Sequence, residues 1–231
     1  MTQWPKHQGV TVSPRVAALT VGRFVSNGAK QFLPVSGLEM FRSTAAIKRV
    51  MASFHFRGGQ SVLVISVYDE VVQFQPAERA AMEYGLVVCS ADSTRSDASR
   101  TESCIRRFDI AAAFGVNGAV IDGLLDGGHD LSTVFGDSIV WARPDAFDRL
   151  DIPGRRRMAE LGPATVFECQ AGDGAHIDRF EWAVAEEHGE IVLSSRAPRV
   201  FEFNHYLTGV AGSVERGICT CGNPDPRIRF S

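Results

Sequence analysis

Three short apolar runs separated by segments of helical length constrain the fold of this chain more than any other feature of its sequence. The runs are SVLVISV (61–67), LVVCSAD (86–92) and IAAAFGV (110–116). The segments 75–85 and 96–108 between them, like NGAVIDGLLDGG after the third run, have helical spacing. Continuous apolar strands that alternate with helices are typical of a parallel sheet buried on both faces. We therefore predict an α/β fold with a largely parallel sheet layered with helices.

The pattern changes toward the C-terminus. SIVWA (138–142) and TVFEC (165–169) are predicted strands, with a predicted helix, PDAFDRL, between them. From His176 onward the phrases HIDRFEWAV, GEIVLSS, VFEFNHYL and AGSVE indicate successive strands with few helix signals. We predict two domains: an α/β lobe over residues 1–170, and a smaller, mostly antiparallel β region over residues 171–231.

Charge and hydropathy exclude two kinds of partner. The net charge of the 231-residue chain is −3, which gives no general attraction for a nucleic-acid backbone or an anionic membrane. No segment reaches about 18 consecutive apolar residues, and the N-terminus lacks a basic stretch followed by an apolar run. We expect a cytoplasmic protein that binds neither nucleic acid nor membrane.

The five cysteines are the strongest candidates for special chemistry. An odd number of cysteines in a chain of this size without a signal peptide argues against a disulfide framework, so reduced thiols or metal ligands are expected. Cys89 and Cys104 fall on a predicted strand and a predicted helix, where we expect core residues. The other three are Cys169, Cys219 and Cys221.

Cys219 and Cys221 form a C-x-C pair in a turn-rich segment, which can hold two thiolates close together. Cys169 and His176 supply two further ligands of the right type. Three thiolates and one imidazole make a closed tetrahedral set that suits structural zinc and leaves no position for a catalytic water. The alternative is that Cys169 is a small buried apolar residue and that the C-x-C pair is exposed without function.

Five phrases in the last third of the chain carry a family resemblance. They are GPATVFEC, GAHIDRFEWAV, GEIVLSS, HYLTG and CTCGNPDPRI. In this order and spacing they resemble the phenylacetate–CoA ligase branch of the adenylate-forming ligases, and the segment from GGQSVLVISVYDE to DIAAAFGVNGAVIDGL resembles the acyl-binding lobe of that family. The resemblance spans residues 20–230. It implies that a structural zinc is bound by Cys169, His176, Cys219 and Cys221.

The same resemblance implies an altered nucleotide site. FVSNGAKQFLPV (24–35) stands where the family binds ATP phosphates; it keeps Ser26, Gly28 and Lys30 but lacks the run of hydroxyl and glycine residues whose backbone N–H groups cradle an anion. In HYLTGV, Val210 stands where the family has an aspartate that accepts hydrogen bonds from the ribose. Each such charge-assisted bond is worth about 1.5–3 kcal/mol. We therefore expect ATP and magnesium binding to be impaired.

Glu160 and His205 are the candidate catalytic residues. The resemblance places Glu160 at the position of a magnesium-coordinating glutamate, whereas a glutamate in an amphipathic helix is more often simply exposed. His205 borders a position that faces the ligand in the family, where it could act as a general acid or base; the alternative is a surface or strand-filling histidine. Asp69 and Glu70 follow the first apolar run, but no nucleophile or partner is evident near them in the sequence.

The segment at the end of the third apolar run is the candidate acyl site. In the ligases this phrase lines the acyl pocket, which implies contact with an aromatic or acyl group, and ligands of open α/β sheets bind at the carboxyl ends of strands. The alternative is ordinary packing at a strand end. The candidate residues are Phe114, Gly115, Val116 and Asn117.

The chain ends at Ser231, just after the phrase that precedes the hinge in the ligases, so the resemblance implies that the C-terminal lid domain is absent. We expect a truncated homologue that has lost ordinary ATP-dependent CoA ligation and that binds or processes an aryl or acyl carboxylate or a derivative. One alternative is an ATP-dependent adenylate-forming ligase or acyl transferase that acts with a partner. Another is a non-catalytic interaction subunit of a full-length ligase, and a homo-oligomer is also expected.

Overall fold

The computed structural model describes residues 10–26 and 28–231, without the side chain of Ser26. The strands are β1 (Val10–Val12), β2 (Thr20–Ser26), β3 (Ala29–Val35), β4 (Ser61–Ile65), β5 (Val87–Ala91), β6 (Ile110–Val116), β7 (Ile139–Ala142), β8 (Arg155–Leu161), β9 (Ala164–Glu168), β10 (Ala175–His176), β11 (Trp182–Glu187), β12 (Glu190–Ser195), β13 (Phe201–Phe203), β14 (Tyr206–Glu215) and β15 (Arg227–Phe230). The helices are α1 (Gly37–Met51), α2 (Val71–Glu83), α3 (Ala98–Phe108), α4 (Gly118–Asp126), α5 (Leu131–Phe135) and α6 (Pro144–Phe147).

Eleven of these strands form one mixed sheet, in the order β11-β12-β14-β15-β10-β9-β8-β7-β6-β4-β5. The pairings β5–β4, β4–β6, β6–β7 and β7–β8 are parallel, and every pairing from β8–β9 to β12–β11 is antiparallel. The predicted α/β class is confirmed. The antiparallel part starts at β9, and β9 and β10, which lie on either side of residue 170, are neighbours in this sheet.

The continuous apolar runs form strands because each successive side chain is buried on an opposite face of the sheet. Val62 and Val64 of β4 belong to a buried cluster that includes residues of α1 and α2. Leu63 and Ile65 of the same strand belong to a second cluster that includes residues of α3 and α4. Complete burial of each such side chain stabilises the fold by about 1.5–3 kcal/mol.

Helix α1 is tied to the antiparallel strands by buried charges. Ser36 and Glu39 form a capping box at its N-terminus, and the Glu39 carboxylate also lies 3.1 Å from the Arg199 guanidinium. Arg42, one turn further along α1, pairs with Glu181 at 2.9 Å. Because these partners precede β11 and β13, the network fixes the helix against the antiparallel half of the sheet.

One local prediction was wrong. Glu160 lies on a strand rather than in an amphipathic helix, because β7 and β9 hydrogen-bond to β8 from both sides and this pairing overrides the helical propensity of RRMAEL. The predicted phosphate-binding segment, residues 24–35, lies mostly in a β-hairpin, in which β2 and β3 pair in antiparallel register from Thr20 and Val35 to Ser26 and Ala29. No helix in the described part of the chain is long and apolar enough to cross a membrane.

Candidate functional site

The sheet brings the four predicted zinc ligands together. Cys169 directly follows β9, and His176 ends the adjacent strand β10. Cys219 and Cys221 lie in the turn that precedes β15, and β15 is the other neighbour of β10. The ligand atoms of the four residues all lie within 4.8 Å of one another. The arrangement could therefore hold a metal ion.

The distances inside this Cys3His cluster fit tetrahedral zinc. The Sγ atoms of Cys169 and Cys219 are 3.7 Å apart, and Cys221 Sγ lies 3.5 Å from His176 Nε2. A tetrahedral zinc with Zn–S of about 2.3 Å and Zn–N of about 2.0 Å separates two sulfurs by about 3.8 Å and a sulfur from a nitrogen by about 3.5 Å. The donor set and its spacing thus suit this ion.

A backbone carbonyl orients the imidazole of the cluster. His176 Nδ1 lies 3.0 Å from the carbonyl oxygen of Asp225, so Nδ1 carries the proton and Nε2 is left as the ligand atom. Burial lowers the pKa of His176, which keeps the ring neutral, as a metal ligand must be. Asp225 is itself held by Arg49 of α1, whose Nε donates to its carboxylate at 2.8 Å.

The C-x-C pair is shaped by a tight turn. The backbone N–H of Cys219 donates to the carbonyl of Asn223 at 3.0 Å, and that of Gly222 donates to the carbonyl of Cys219 at 2.8 Å. Gly222 has φ of +84°, which favours glycine. The N–H of Asn223 in turn lies 3.4 Å from Cys221 Sγ, a contact that stabilises a thiolate.

The three thiols differ in how readily they ionise. Burial raises the pKa of Cys169 to about 12, and burial also raises the pKa of Cys221. Burial opposes ionisation of Cys219 too, but hydrogen bonds from the Cys221 backbone and the Arg227 side chain outweigh it and lower the pKa of Cys219 to about 7. Without a cation, the cluster holds mostly neutral thiols near neutral pH.

A second constellation lies at the carboxyl ends of the parallel strands. Arg143, directly after β7, donates two hydrogen bonds to the carboxylate of Glu70, at 2.6 and 2.7 Å, and one to the carbonyl of Gly115 at 3.1 Å. Arg23 of β2 donates to the same carboxylate. Together with Glu160, which lies 3.6 Å from Arg23, these residues form the strand-end charge cluster.

The pKa values of the two carboxyl groups in this strand-end charge cluster are shifted in opposite directions. Burial opposes ionisation of Glu70, but the hydrogen bonds and charge of Arg143 outweigh it and lower the pKa of Glu70. Burial raises the pKa of Glu160, although the charges of Arg23 and Arg143 act against it. Glu160 Oε2 is buried and has no hydrogen-bond partner among the described residues. Glu70 is thus a fixed anion, whereas Glu160 is a poorly compensated one.

The predicted nucleotide-site segments pack against one another. Phe24, from the predicted phosphate-binding segment, makes edge contacts with Phe203 and with Tyr206 of HYLTGV, with ring centroids 6.0 and 6.1 Å apart. All three rings are buried. Lys30 donates to Asp69 at 2.9 Å on the surface, Gly28 has φ of +74° at the hairpin turn, and Val210 is partly buried against the core. The side chain of Ser26 is outside the described residues.

The predicted acyl-site residues are buried at the end of β6. Phe114 stacks on Trp141 with ring centroids 4.3 Å apart, and Val116 is in the core. A Cβ at Gly115 would lie 2.4 Å from the carbonyl oxygen of Ile65, so only glycine fits there. Asn117 caps α4 by accepting from Val120 N. Their contact with an acyl group stays a prediction.

The remaining candidate residues lie apart from both constellations. His205 is exposed, has φ of +50° and places Nε2 3.2 Å from Glu187. Cys89 and Cys104 are half-buried at the edge of the core cluster near α3. Among the residues that hold the strand-end charge cluster, Arg23 and Arg143 were not singled out from the sequence. Lone arginines carry no local signal, and only the topology brings them to Glu70.

Comparison with known proteins gives the class of fold. No protein-family model and no curated protein matches the chain. A structure of 2-hydroxyisobutyryl-CoA ligase in an open conformation, with 2-HIB-AMP and CoA, matches 94% of this chain and 57% of the ligase, at 14% identity and a TM-score of 0.67. The same ligase in the postadenylation state with R3-HIB-AMP matches 91% of this chain and 50% of its own, at 14% identity and a TM-score of 0.67.

The chain therefore has an acyl-CoA ligase fold over nearly all of its length, in agreement with the resemblance to the adenylate-forming ligases. It spans somewhat more than half of the ligase that it matches. At this identity the likeness concerns the fold alone. The phenylacetate–CoA ligase branch stays a prediction.

Proposed function

We propose that this protein is a phenylacetate–CoA ligase-like member of the adenylate-forming fold that binds an aryl or acyl carboxylate, or a derivative, without adenylating it. A structural zinc at the Cys3His cluster would hold its scaffold together. The observation that carries the proposed loss of adenylation is the strand-end charge cluster. It lies at the edge of the sheet where an open α/β fold binds its ligand.

Open α/β sheets bind ligands in the crevice at the carboxyl ends of their strands, where the strand order reverses. In this sheet the reversal lies between β4 and β6, because β4 leads to β5 on one side and β5 leads back to β6 on the other. Glu70 follows β4 and is 1% exposed, and Arg143 closes over it from the end of β7. A bidentate pair of this kind neutralises Arg143, whose guanidinium is then not free to attract ATP phosphates.

Packing at the predicted nucleotide contacts also supports the proposed loss of ATP binding. The contact of Phe24 with Tyr206 occupies the space between the predicted phosphate-binding segment and the HYLTGV phrase with buried aromatic rings. Val210 offers no acceptor for ribose hydroxyls. Binding ATP here would require the rings to separate and their buried area to be exposed.

The proposed zinc fits the donor set of its four ligands. It would supply a positive charge that holds three thiolates and one imidazole together, and so tie the ends of β9 and β10 to the turn before β15. The chain's own contribution is the orientation of His176 by the Asp225 carbonyl, and the anchoring of Asp225 by Arg49. With four protein ligands this is a structural site rather than a catalytic one.

A second candidate function is adenylation with the help of a partner. The observation that favours it is Glu160, whose buried Oε2 has no hydrogen-bond partner among the described residues and so offers an oxygen to a divalent cation. A partner that reorganised the charges of Arg23 and Arg143 would be needed to admit a nucleotide beside it.

Three measurements on one preparation separate these functions. Calorimetry with ATP and magnesium, together with pyrophosphate exchange in the presence of aryl and acyl acids, should give no binding and no exchange. Thermal denaturation with the same acids and with their CoA thioesters should show a rise in Tm for at least one compound. Micromolar ATP binding or measurable exchange would establish the second candidate instead, and a panel without any Tm change would refute carboxylate binding.

A further inference from the structure

We propose that Cys221 is an oxidation site through which a hydroperoxide opens the Cys3His cluster, with Cys169 as the thiol that completes a disulfide. The proposal rests on the zinc of the proposed function, because the metal holds these sulfurs as thiolates. Oxidation at Cys221 would give a redox response to a metal site that, with four protein ligands, would otherwise be purely structural.

The four ligands are unequally protected from solvent. Cys169, His176 and Cys219 are 0%, 4% and 2% exposed, respectively, whereas Cys221 is only half-buried. A solute that approaches the cluster therefore meets the sulfur of Cys221 first. In a cluster of three thiolates and one Zn²⁺ the net charge is −1, which leaves electron density on sulfur for attack on an electrophile.

A groove leads to this sulfur. Its volume is about 300 Å³, and a water molecule occupies about 30 Å³ in the liquid, so a hydroperoxide enters easily. The wall includes polar groups that suit a small hydrogen-bonding solute, among them Gln170 and Thr220. The lining residues are Ala52, Ser53, His55, Gln170, Ala171, Thr220 and Cys221.

A second thiol lies within reach. The Sγ atoms of the cluster all lie within 4.8 Å of one another, so a sulfenic acid formed at Cys221 has two neighbouring sulfurs. Cys219 is separated from Cys221 by one residue, and a ring that small is difficult to close as a disulfide. Cys169 belongs to a different segment of the chain and meets no such restriction.

The chemistry balances with the hydroperoxide as the sole oxidant. The Cys221 thiolate attacks one oxygen of hydrogen peroxide, the O–O bond breaks, and protonation of the leaving hydroxide gives water and the Cys221 sulfenic acid. The Cys169 thiolate then attacks that sulfur, and its hydroxyl leaves as a second water after taking up a proton. Two thiolates, one peroxide and two protons thus give one disulfide and two waters. Two of the four metal ligands are lost, and Zn²⁺ is released.

The test uses the full chain after its zinc content has been measured. Brief exposure to hydrogen peroxide, followed by alkylation and peptide mass mapping, should find Cys221 oxidised before any other cysteine and a Cys169–Cys221 disulfide at longer times. A chromogenic chelator should record zinc release at the rate at which the disulfide appears, and dithiothreitol with added zinc should reverse both. Oxidation that starts at Cys89 or Cys104, or zinc release without a disulfide, would overturn the proposal.

A variant that leaves all ligands in place tests the path. Ala171→Leu fills the groove from an exposed position and should slow zinc release on the order of tenfold, because access to Cys221 is what limits the reaction. Ala183→Leu, also exposed but on β11, is the matched control and should release zinc like the unchanged chain. Equal rates for the two variants would refute the groove as the path. If no zinc were found at the start, the proposed zinc site would fail, and the order of cysteine oxidation would still test the role of Cys221.

Discussion

Arg143 donates to both carboxylate oxygens of Glu70, at 2.6 and 2.7 Å, across 73 positions of sequence. The two side chains come from the segments that follow β4 and β7, which β6 separates in the sheet, and Arg23 of the β2–β3 hairpin approaches the same carboxylate. Glu70, Arg143 and Arg23 thus join three parts of the chain at the edge of the sheet where ligands of this class of fold bind. Substitution of this pair therefore tests how much it contributes to the stability of the fold.

Arg143→Met should lower the free energy of unfolding by about 1.5–3 kcal/mol, because the buried Glu70 carboxylate loses its bidentate partner and keeps only Arg23. The double variant Glu70→Leu with Arg143→Met should lose less than the single one, since the buried carboxylate that has lost its bidentate partner is removed as well. Urea denaturation measures both. Arg95→Gln, which breaks an exposed pair with Asp126, is the control and should cause no measurable change. An Arg143→Met loss as small as that of the control would show that the pair is not structural.

Metal analysis of the purified chain should find one zinc per molecule, because the Cys3His cluster offers one complete tetrahedral set. Cys219→Ser and Cys221→Ser should lose both metal and solubility, since binding at such a site is part of the folding free energy. Cys104→Ser removes a thiol outside the cluster and should keep metal and solubility. Removal of zinc by a chelator should lower Tm; an unchanged Tm would contradict a structural role.

Regular patterns in the sequence were enough to predict the parallel strands β4, β5, β6 and β7, but not β8. The runs that contain Leu63 and Ala113 are apolar because both faces of the sheet are covered there. The run that contains Val88 forms the edge strand β5 and is only partly buried. The four cluster residues could also be predicted, because Cys and His in a metal site are distinctive in type and because the resemblance supplied the set.

The strand-end charge cluster could not be predicted in the same way. The sequence shows no partner for Glu70 and nothing that distinguishes Arg143 from other arginines, because their pairing depends on strand order rather than on local spacing. The sequence around Glu160 gives no strand signal, because its position between β7 and β9 is a property of the whole sheet. The carbonyl of Asp225 orients His176, yet every residue has a carbonyl, so the sequence carries no trace of this role.

Glu160→Gln should raise the free energy of unfolding at pH 7. Burial raises the pKa of Glu160 in the folded protein, so the folded state binds its proton more tightly than the unfolded state does. The ionised carboxylate therefore costs stability above its folded pKa, and this cost disappears as the pH falls below the unfolded value near 4.5. The advantage of the glutamine variant should shrink over the same range.

Urea denaturation of both proteins between pH 4 and pH 8 measures this difference. Glu70→Gln serves as the opposite case: the pKa of Glu70 is lowered in the folded protein, so its contribution is present at neutral pH and lost as the pH falls through the folded value. Glu70→Gln should thus be destabilised at pH 7 and approach the unchanged protein in acid. A pH-independent gain from Glu160→Gln would mean that burial does not govern this carboxyl.

Gly115→Ala should destabilise the fold by about 3 kcal/mol or more, from the cost of φ at +89° and from overpacking. A Cβ at this position would lie 2.4 Å from the carbonyl oxygen of Ile65 and 2.6 Å from the ring of Phe74, and neither the strand nor the buried ring can move away cheaply. Gly189→Ala is the matched control, with φ of +81° and nothing within 4 Å of its Cβ, and it should lose only about 1 kcal/mol. Chemical denaturation of the two variants isolates the packing contribution at the predicted acyl site. If both variants lost the same free energy of unfolding, the end of β6 would have room for an added methyl group. That result is expected of a site in which small movements of Phe74 admit a ligand.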